Sequence, residues 1–132
     1  MILIFGGAYQ GKLDYALQRF KLTDEDIYEC RAENTELPEN KKIIYEIDKW
    51  ILALVKANIN TEQEINKFIN QNASDIVICN DISCGVVPME PELRMWREAV
   101  GRALAGLAKH SDEVVRLFCG IPTVIRAGEK NG

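Results

Sequence analysis

The sequence predicts an α/β domain built on a mostly parallel central sheet. Short apolar runs rich in β-branched residues alternate along the chain with segments whose apolar residues recur at helical spacing. The first apolar run ends in a pair of glycines and leads into one of these helical segments. The 132 residues match the ordinary size of one domain and suffice for a buried core. This alternation favours a sheet with helices packed on its faces.

The predicted strands are short apolar runs bounded by polar or turn residues. In chain order they are Met1–Phe5, Asp26–Cys30, Lys42–Ile47, Asp75–Cys79, Glu113–Phe118 and Pro122–Arg126. The last two flank Gly120, which predicts a pair of strands joined by a tight turn. Between the second and third strands, Arg31–Asn40 is polar and contains Pro38, so we expect a loop there.

The predicted helices are recognised by apolar residues three or four positions apart. They start after Lys12, at Lys49, after Thr61 and at Glu92, and the second ends at Asn58 and the fourth near His110. We expect Asp48 to cap the second helix, and Thr61 with Glu64 to form a capping box for the third. The polar tail, residues 128–132, is expected to fray, which leaves residues 1–127 as a single domain.

The composition is that of an ordinary globular protein, with 47% hydrophobic and 27% charged residues. The net charge of −4 and a pI near 5.1 argue against broad binding to nucleic acids or membrane surfaces. The longest apolar run, Trp50–Val55, is far too short to span a bilayer, and no signal-like segment is recognised. We therefore expect a cytoplasmic protein.

The four cysteines are scattered and contain no Cys-x-x-Cys pair. They are Cys30, Cys79, Cys84 and Cys119. This spacing predicts reduced thiols rather than disulfides or a structural metal site. Cys79 and Cys119 lie in strand-like runs and are expected to be small core residues, whereas Cys84 falls in a loop that contains glycine.

An incomplete phosphate-binding motif follows the first strand, in the stretch IFGGAYQGKLDYA. The motif requires Gly, four spacers, Gly, Lys and then Ser or Thr, and Leu13 stands where the hydroxyl would hold magnesium. Glycines let successive backbone N–H groups turn toward an anion, and the N-terminus of the next helix favours phosphate. A glycine-rich turn that binds nothing is the alternative. The predicted nucleotide-binding residues are Gly6, Gly7, Ala8, Tyr9, Gln10, Gly11, Lys12 and Leu13.

A second candidate stretch follows the fourth predicted strand. Asn80 and Asp81 come directly after the buried run. Parallel sheets bind ligands at the carboxyl ends of their strands, so we expect both residues to lie beside the glycine loop, the segment from Gly6 to Lys12 that follows the first strand. Gly85 and Pro88 then shape a loop that leads into the long helix.

Three motifs in order resemble one known family. The chain resembles the adenosylcobinamide kinase / adenosylcobinamide-phosphate guanylyltransferase family in the stretches GGAYQGKLDYA, CNDISCGVVP and DEVVRLFCGIPTVIR. The predicted helix that carries Arg94, Arg97, Gly101 and Ala108 also resembles that family. The family has a GGARSGKS-like loop, S-N-E-V-G-x-G-I-V-P, R-x-F-R-D-x-x-G and V-x-G-I-P-x-x-I-K. The resemblance covers the first twenty residues and residues 75–126. It implies a P-loop NTPase-like (RecA-like) fold with a C-terminal strand pair. It also implies a homotrimer, and it implies two ligands: a nucleotide, GTP or ATP, and a corrinoid.

The chemistry of that family has two halves. The kinase half phosphorylates the aminopropanol hydroxyl of adenosylcobinamide with a nucleoside triphosphate. The second half transfers GMP to that phosphate through a guanylylated histidine, which lies between the second and third strands. In this chain that segment, Arg31–Asn40, contains no histidine, and the sole histidine, His110, follows the long helix. We therefore predict that the guanylyltransferase half is lost.

The resemblance also implies roles in the kinase half. Lys12 and Asp81 are the implied catalytic residues, and Asn80 is an implied nucleotide-binding residue. Lys12 and the loop amides neutralise charge during phosphoryl transfer, which is mainly a matter of positioning and electrostatics.

Magnesium binding depends on the third predicted strand. Tyr45 stands where the family has an acidic metal-binding residue, and Glu46 and Asp48 are the neighbouring carboxylates that could replace it as Mg²⁺ ligands. A shift of one residue in a strand reverses the direction of a side chain, so Glu46 is not automatically equivalent. Asp48 could serve only as a helix cap.

The sequence leaves three functions open. The first is a kinase of cobalamin nucleotide-loop assembly. The second is a non-catalytic nucleotide-binding or assembly protein, which Leu13, Tyr45 and the missing histidine favour. The third is a structural relic without a ligand.

Overall fold

The computed structural model describes residues 1–7, 11–39, 41–71, 75–82 and 90–127. The strands are β1 (Ile2–Gly6), β2 (Ile27–Glu29), β3 (Ile43–Tyr45), β4 (Ile76–Asn80), β5 (Glu113–Phe118) and β6 (Ile121–Arg126). The helices are α1 (Lys12–Phe20), α2 (Ile47–Lys56), α3 (Thr61–Gln71) and α4 (Pro91–His110). Each predicted strand and helix is therefore present, with bounds that differ by at most two residues.

The six strands form one sheet in the order β2-β3-β4-β1-β5-β6. The first five strands are parallel, and only the β5–β6 pair is antiparallel. β1 lies between β4 and β5, and both Leu3 and Ile4 are completely buried. A strand buried on both faces must be apolar throughout, which explains the uninterrupted run at the start of the chain. The predicted α/β class with a mostly parallel sheet is confirmed.

The two faces of the sheet are covered by different helices. Leu3 and Val77 point toward α2, α3 and α4, where Trp50 and Leu107 are buried. The alternate residues of the same strands, such as Ile4, point toward α1 on the opposite face. Successive side chains of a strand alternate in direction, so one apolar run supplies both cores. In the described segments, no helix is long and apolar enough to cross a membrane.

Two predicted helix caps are wrong. α2 begins at Ile47, and Glu46 occupies the position before it with a φ of 57°, so Asp48 lies inside the first turn. Asp48 does not cap because its carboxylate accepts hydrogen bonds from Asn80 instead. At α3 the side-chain oxygen of Asn60, rather than that of Thr61, accepts the backbone N–H of Gln63.

The turn between β5 and β6 corrects a third prediction. Cys119 and Gly120 connect the strands with φ values of 50° and 76°. Two-residue hairpin turns require such positive angles, because their twist matches that of the strands. Cys119 is therefore exposed at a turn, whereas Cys79 is buried in the core as predicted.

The end of β1 packs closely against both neighbouring strands. A Cβ atom on Gly6 would lie 2.4 Å from the carbonyl oxygen of Leu117 in β5, and the φ of Gly6 is 154°. On the other side, the backbone N–H of Asp81 donates a hydrogen bond of 2.7 Å to the Gly6 carbonyl. Glycine is required here because any side chain would overlap the β5 backbone. This packing fixes the start of the glycine loop relative to the end of β4.

Candidate functional site

A cleft of about 570 Å³ lies at the carboxyl ends of β1, β3 and β4. Its described lining residues are Gly11, Lys12, Leu13, Asp14, Tyr45, Glu46, Asp48, Lys49, Asn80, Asp81, Ile82 and Trp96. The fold thus brings together, from α1, α2, β4 and the residues that flank them, most of the site residues predicted from the sequence. Ala8, Tyr9, Gln10, Cys84, Gly85 and Pro88 lie outside the described residues. Gly6 and Gly7 are described but do not line the cleft.

Lys12 is the buried cation of the cleft. It is the first residue of α1, only 4% exposed, and its Nζ donates a hydrogen bond of 2.5 Å to the carbonyl of Gly7. Burial lowers the pKa of Lys12, while the nearby carboxylates of Asp48 and Glu46 act in the opposite direction. A buried ammonium in a cleft is a strong anion-binding group because little water screens its charge.

Gly11 turns the chain into α1. Its φ of 83° places it in the left-handed region, and it occupies the position before the first helical residue. The carbonyl of Gly11 accepts the N–H of Tyr15, which closes the first turn of the helix. The earlier N–H groups of a helix have no partner within the helix and carry the positive end of its dipole. Together with Lys12, they give this side of the cleft donors for an anion.

The opposite side of the cleft is acidic and tightly hydrogen-bonded. The backbone N–H of Asn80 donates to Asp48 Oδ1 at 3.0 Å, and Asn80 Nδ2 donates to Asp48 Oδ2 at 3.3 Å. The same Nδ2 donates to Glu46 Oε2 at 3.0 Å. Burial raises the pKa of Asp48, which is 2% exposed, and the hydrogen bonds from Asn80 oppose that rise. One asparagine therefore holds two carboxylates together at the end of β4.

Two further residues of this side were missed in the sequence. Lys49 Nζ lies 3.3 Å from Glu46 Oε1, and Trp96 Nε1 donates a hydrogen bond of 2.7 Å to the backbone carbonyl of Asp48. The helical pattern marks Trp96 only as an apolar residue of α4. The sequence did offer one indication of this contact: the indole N–H of a buried tryptophan needs a hydrogen-bond acceptor.

The loop between β2 and β3 is held by hydrogen bonds to α2 and β2. Trp50 Nε1 donates to the Thr35 carbonyl at 2.8 Å, and Asn34 Nδ2 donates to the Tyr28 hydroxyl at 3.0 Å. None of the described residues of the cleft comes from 31–39. His110 ends α4, and fourteen residues of helix, or about 21 Å, separate it from Trp96. The described lining of the cleft thus contains no imidazole.

Comparison with known families gives a match over residues 39–125, to the model described as cobinamide kinase / cobinamide phosphate guanyltransferase. The chain belongs to this family. The match covers about two thirds of the chain, from the end of the β2–β3 loop to β6, and so does not include β1, the glycine loop or α1. No curated protein matches the chain.

Membership of the cobinamide kinase / cobinamide phosphate guanyltransferase family confirms the resemblance found in the motifs. It supports a kinase- and guanyltransferase-like function in cobalamin biosynthesis, with a nucleotide and a corrinoid as the implied substrates. Asn80, Asp81, β5 and all of β6 except Arg126 lie inside the matched range, whereas Lys12 lies outside it. The case for Lys12 therefore depends on its position in the fold and on its motif.

Proposed function

We propose that this chain is a nucleoside-triphosphate-dependent kinase that acts on a corrinoid alcohol. The observation that carries the proposal is the placement of Lys12, buried at the N-terminus of α1 and open to a cleft at the carboxyl ends of parallel strands. Phosphoryl transfer depends mainly on positioned cations and backbone donors, and this side of the cleft supplies both. Family membership supplies the substrate class.

In this proposal, phosphate binding displaces an internal contact. Lys12 exchanges its hydrogen bond to the Gly7 carbonyl for one to a phosphate oxygen. Asp81 is the proposed catalytic carboxylate because it lines the same cleft and is the first residue after β4. A carboxylate in that position can accept the proton of the attacking hydroxyl. The bond between the Asp81 N–H and the Gly6 carbonyl keeps the two halves of the site in register.

Magnesium at Glu46 and Asp48 stays a prediction. Both oxygens of Asp48 accept hydrogen bonds from Asn80, and the oxygens of Glu46 face Asn80 and Lys49. Among the described residues, no group of three or more His, Cys, Asp or Glu side chains could hold a metal ion. Burial also raises the pKa of Tyr45, so its phenol stays neutral. These residues do not fit a metal bound by the protein alone, and we propose no step through one.

We also propose that the guanylyltransferase half is absent. The loop of residues 31–39 is attached to the body of the domain by Trp50 and Tyr28, and it carries no histidine. A covalent GMP intermediate of the family type needs a nucleophilic imidazole beside the α-phosphate. The position of His110 at the far end of α4 supports the same conclusion.

A non-catalytic nucleotide-binding or assembly protein is the second candidate. The charge of the cleft favours it, since its described lining has four carboxylates (Asp14, Glu46, Asp48 and Asp81) and two lysines, Lys12 and Lys49. An excess of negative charge weakens the binding of free triphosphate.

Self-association is also proposed, because four large apolar side chains of the β5–β6 hairpin are more than half exposed. They are Phe118, Ile121, Val124 and Ile125.

Calorimetric titration of GTP and ATP, with and without magnesium, tests nucleotide binding. Lys12→Ala should weaken triphosphate binding at least about tenfold, because a charge-assisted contact contributes roughly 1.5–3 kcal/mol. Lys67→Ala is the matched control, because Lys67 is an exposed lysine of α3 outside the cleft. If the Lys12→Ala and Lys67→Ala variants bound triphosphate with equal affinity, the proposed nucleotide site would be wrong.

A second assay separates the two candidate functions. Cobinamide and the nucleotide that binds are incubated with the chain, and cobinamide phosphate is measured by mass. Binding with product supports the kinase. Binding without product supports the non-catalytic protein.

A further inference from the structure

The side-chain amide of Asn80 has a defined orientation in the cleft. Nδ2 lies 3.0 Å from Glu46 Oε2 and 3.3 Å from Asp48 Oδ2. An amide nitrogen has two hydrogens and no acceptor capacity, so these two bonds use all that Nδ2 can donate. Both hydrogens of the amide nitrogen therefore donate to the two carboxylates, and none is left for a ligand.

The reverse orientation of this amide is excluded by charge. It would place Oδ1 against two carboxylate oxygens and would leave Glu46 without its donor from β4. The backbone N–H of Asn80, which donates to Asp48 Oδ1 at 3.0 Å, also holds Asp48 in place. Oδ1 consequently lies on the side of the amide away from both carboxylates. Within the part of the chain that the structure describes, no donor pairs with Oδ1.

This orientation decides what Asn80 can bind. A carbonyl oxygen accepts hydrogen bonds and cannot donate one to a phosphate oxygen, which is itself an acceptor. The two carboxylates behind the amide repel a phosphate further. Lys12 and the N-terminus of α1 form the opposite, donor-bearing side of the same cleft. The cleft thus has one side for an anion and one side for a hydrogen-bond donor.

We infer that Asn80 is a specificity-determining residue whose Oδ1 accepts a hydrogen bond from a hydroxyl group of the ligand. This inference rests on the proposed function, and it differs from a phosphate-binding role for Asn80. Two ligands of the proposed reaction carry such a hydroxyl: the corrinoid alcohol and the ribose of the nucleotide. Glu46 and Asp48 are positioning residues in this arrangement, because they act through the amide.

The test compares three probes on the same variants. Tripolyphosphate has no hydroxyl of a sugar or alcohol, GTP has the ribose, and cobinamide has the alcohol. Their affinities are measured by calorimetry for the unaltered chain, Asn80→Ala and Asn80→Ser. Serine leaves a small donor for one carboxylate and removes the amide oxygen, so it keeps the test available if alanine prevents folding. Asn66→Ala, at an exposed asparagine of α3, is the matched control.

The expected result is selective. Tripolyphosphate affinity should stay within about twofold, while the affinity for cobinamide or for GTP should fall about three- to tenfold, the loss typical of one neutral hydrogen bond. The probe that weakens identifies the source of the hydroxyl. Equal weakening of tripolyphosphate, or no change with any probe, would overturn the inference. An unaltered chain that binds none of the three would instead refute the proposed function.

Discussion

Replacing Gly6 by alanine should strongly destabilise the domain. The added methyl group would lie 2.4 Å from the Leu117 carbonyl oxygen, well inside van der Waals contact, and this atom belongs to the β5 backbone. The φ of 154° adds strain for any residue with a Cβ atom. Each of the two effects costs about 1–3 kcal/mol, so we expect a loss of about 2–6 kcal/mol.

That loss is large for a domain whose total stability is of the order of 5–15 kcal/mol. Urea denaturation followed by circular dichroism measures it directly. In a thermal scan the midpoint should fall by roughly 8–24 °C, since 1 kcal/mol corresponds to about 4 °C at this chain length.

Gly101→Ala is the matched control for this experiment. Gly101 lies inside α4, is exposed, and a Cβ atom there would meet no other atom within 4 Å. Alanine should therefore stabilise the helix by about 0.5–1 kcal/mol. If Gly6→Ala changed stability by less than about 0.5 kcal/mol, an ordinary surface effect, the close packing of β1 on β5 would be incorrect.

Three further outcomes are expected. Leu13→Ser restores the hydroxyl that holds magnesium in a complete motif, so it should increase the magnesium dependence of nucleotide affinity measured by calorimetry. If the magnesium dependence were the same before and after the substitution, position 13 would not contact the metal. Incubation with GTP and magnesium should leave the mass of the intact chain unchanged, and an acid-labile GMP adduct abolished by His110→Ala would restore the guanylyltransferase half. Burial raises the pKa of Cys30 to about 12, so at pH 8 iodoacetamide should modify exposed Cys119 and spare Cys30 until the chain unfolds. Rapid labelling of Cys30 in the folded chain would contradict its buried position.

The sheet could be predicted because its signals are local. β1 and β4 are apolar at nearly every position, which is the pattern of strands buried on both faces. The position of Asn80 and Asp81 beside the glycine loop also followed from the pattern, since parallel strands place their carboxyl ends on one edge. These inferences need only the order of elements and the direction of the strands.

The contacts of Asp48 could not be predicted because its partners are distant in the sequence. An aspartate at the start of a helix normally caps it. Here its carboxylate binds Asn80, and its backbone carbonyl accepts the indole N–H of Trp96, 48 positions further along. No sequence window that includes the helix start contains either partner. Cys119 was misplaced for a simpler reason, since the two-residue turn begins one position before the glycine that marks it.

The central position of β1 also has a consequence for how the chain folds during synthesis. Ile2 pairs with Ile76 on one side and with Glu113 on the other. β1 leaves the ribosome long before β5, so it must wait until β5 is synthesised before both of its edges are covered. Sheets that depend on such distant pairings fold slowly, and their apolar strands stay open to wrong partners in the meantime. We expect this protein to depend on chaperones, or on slow translation, more than its small size suggests.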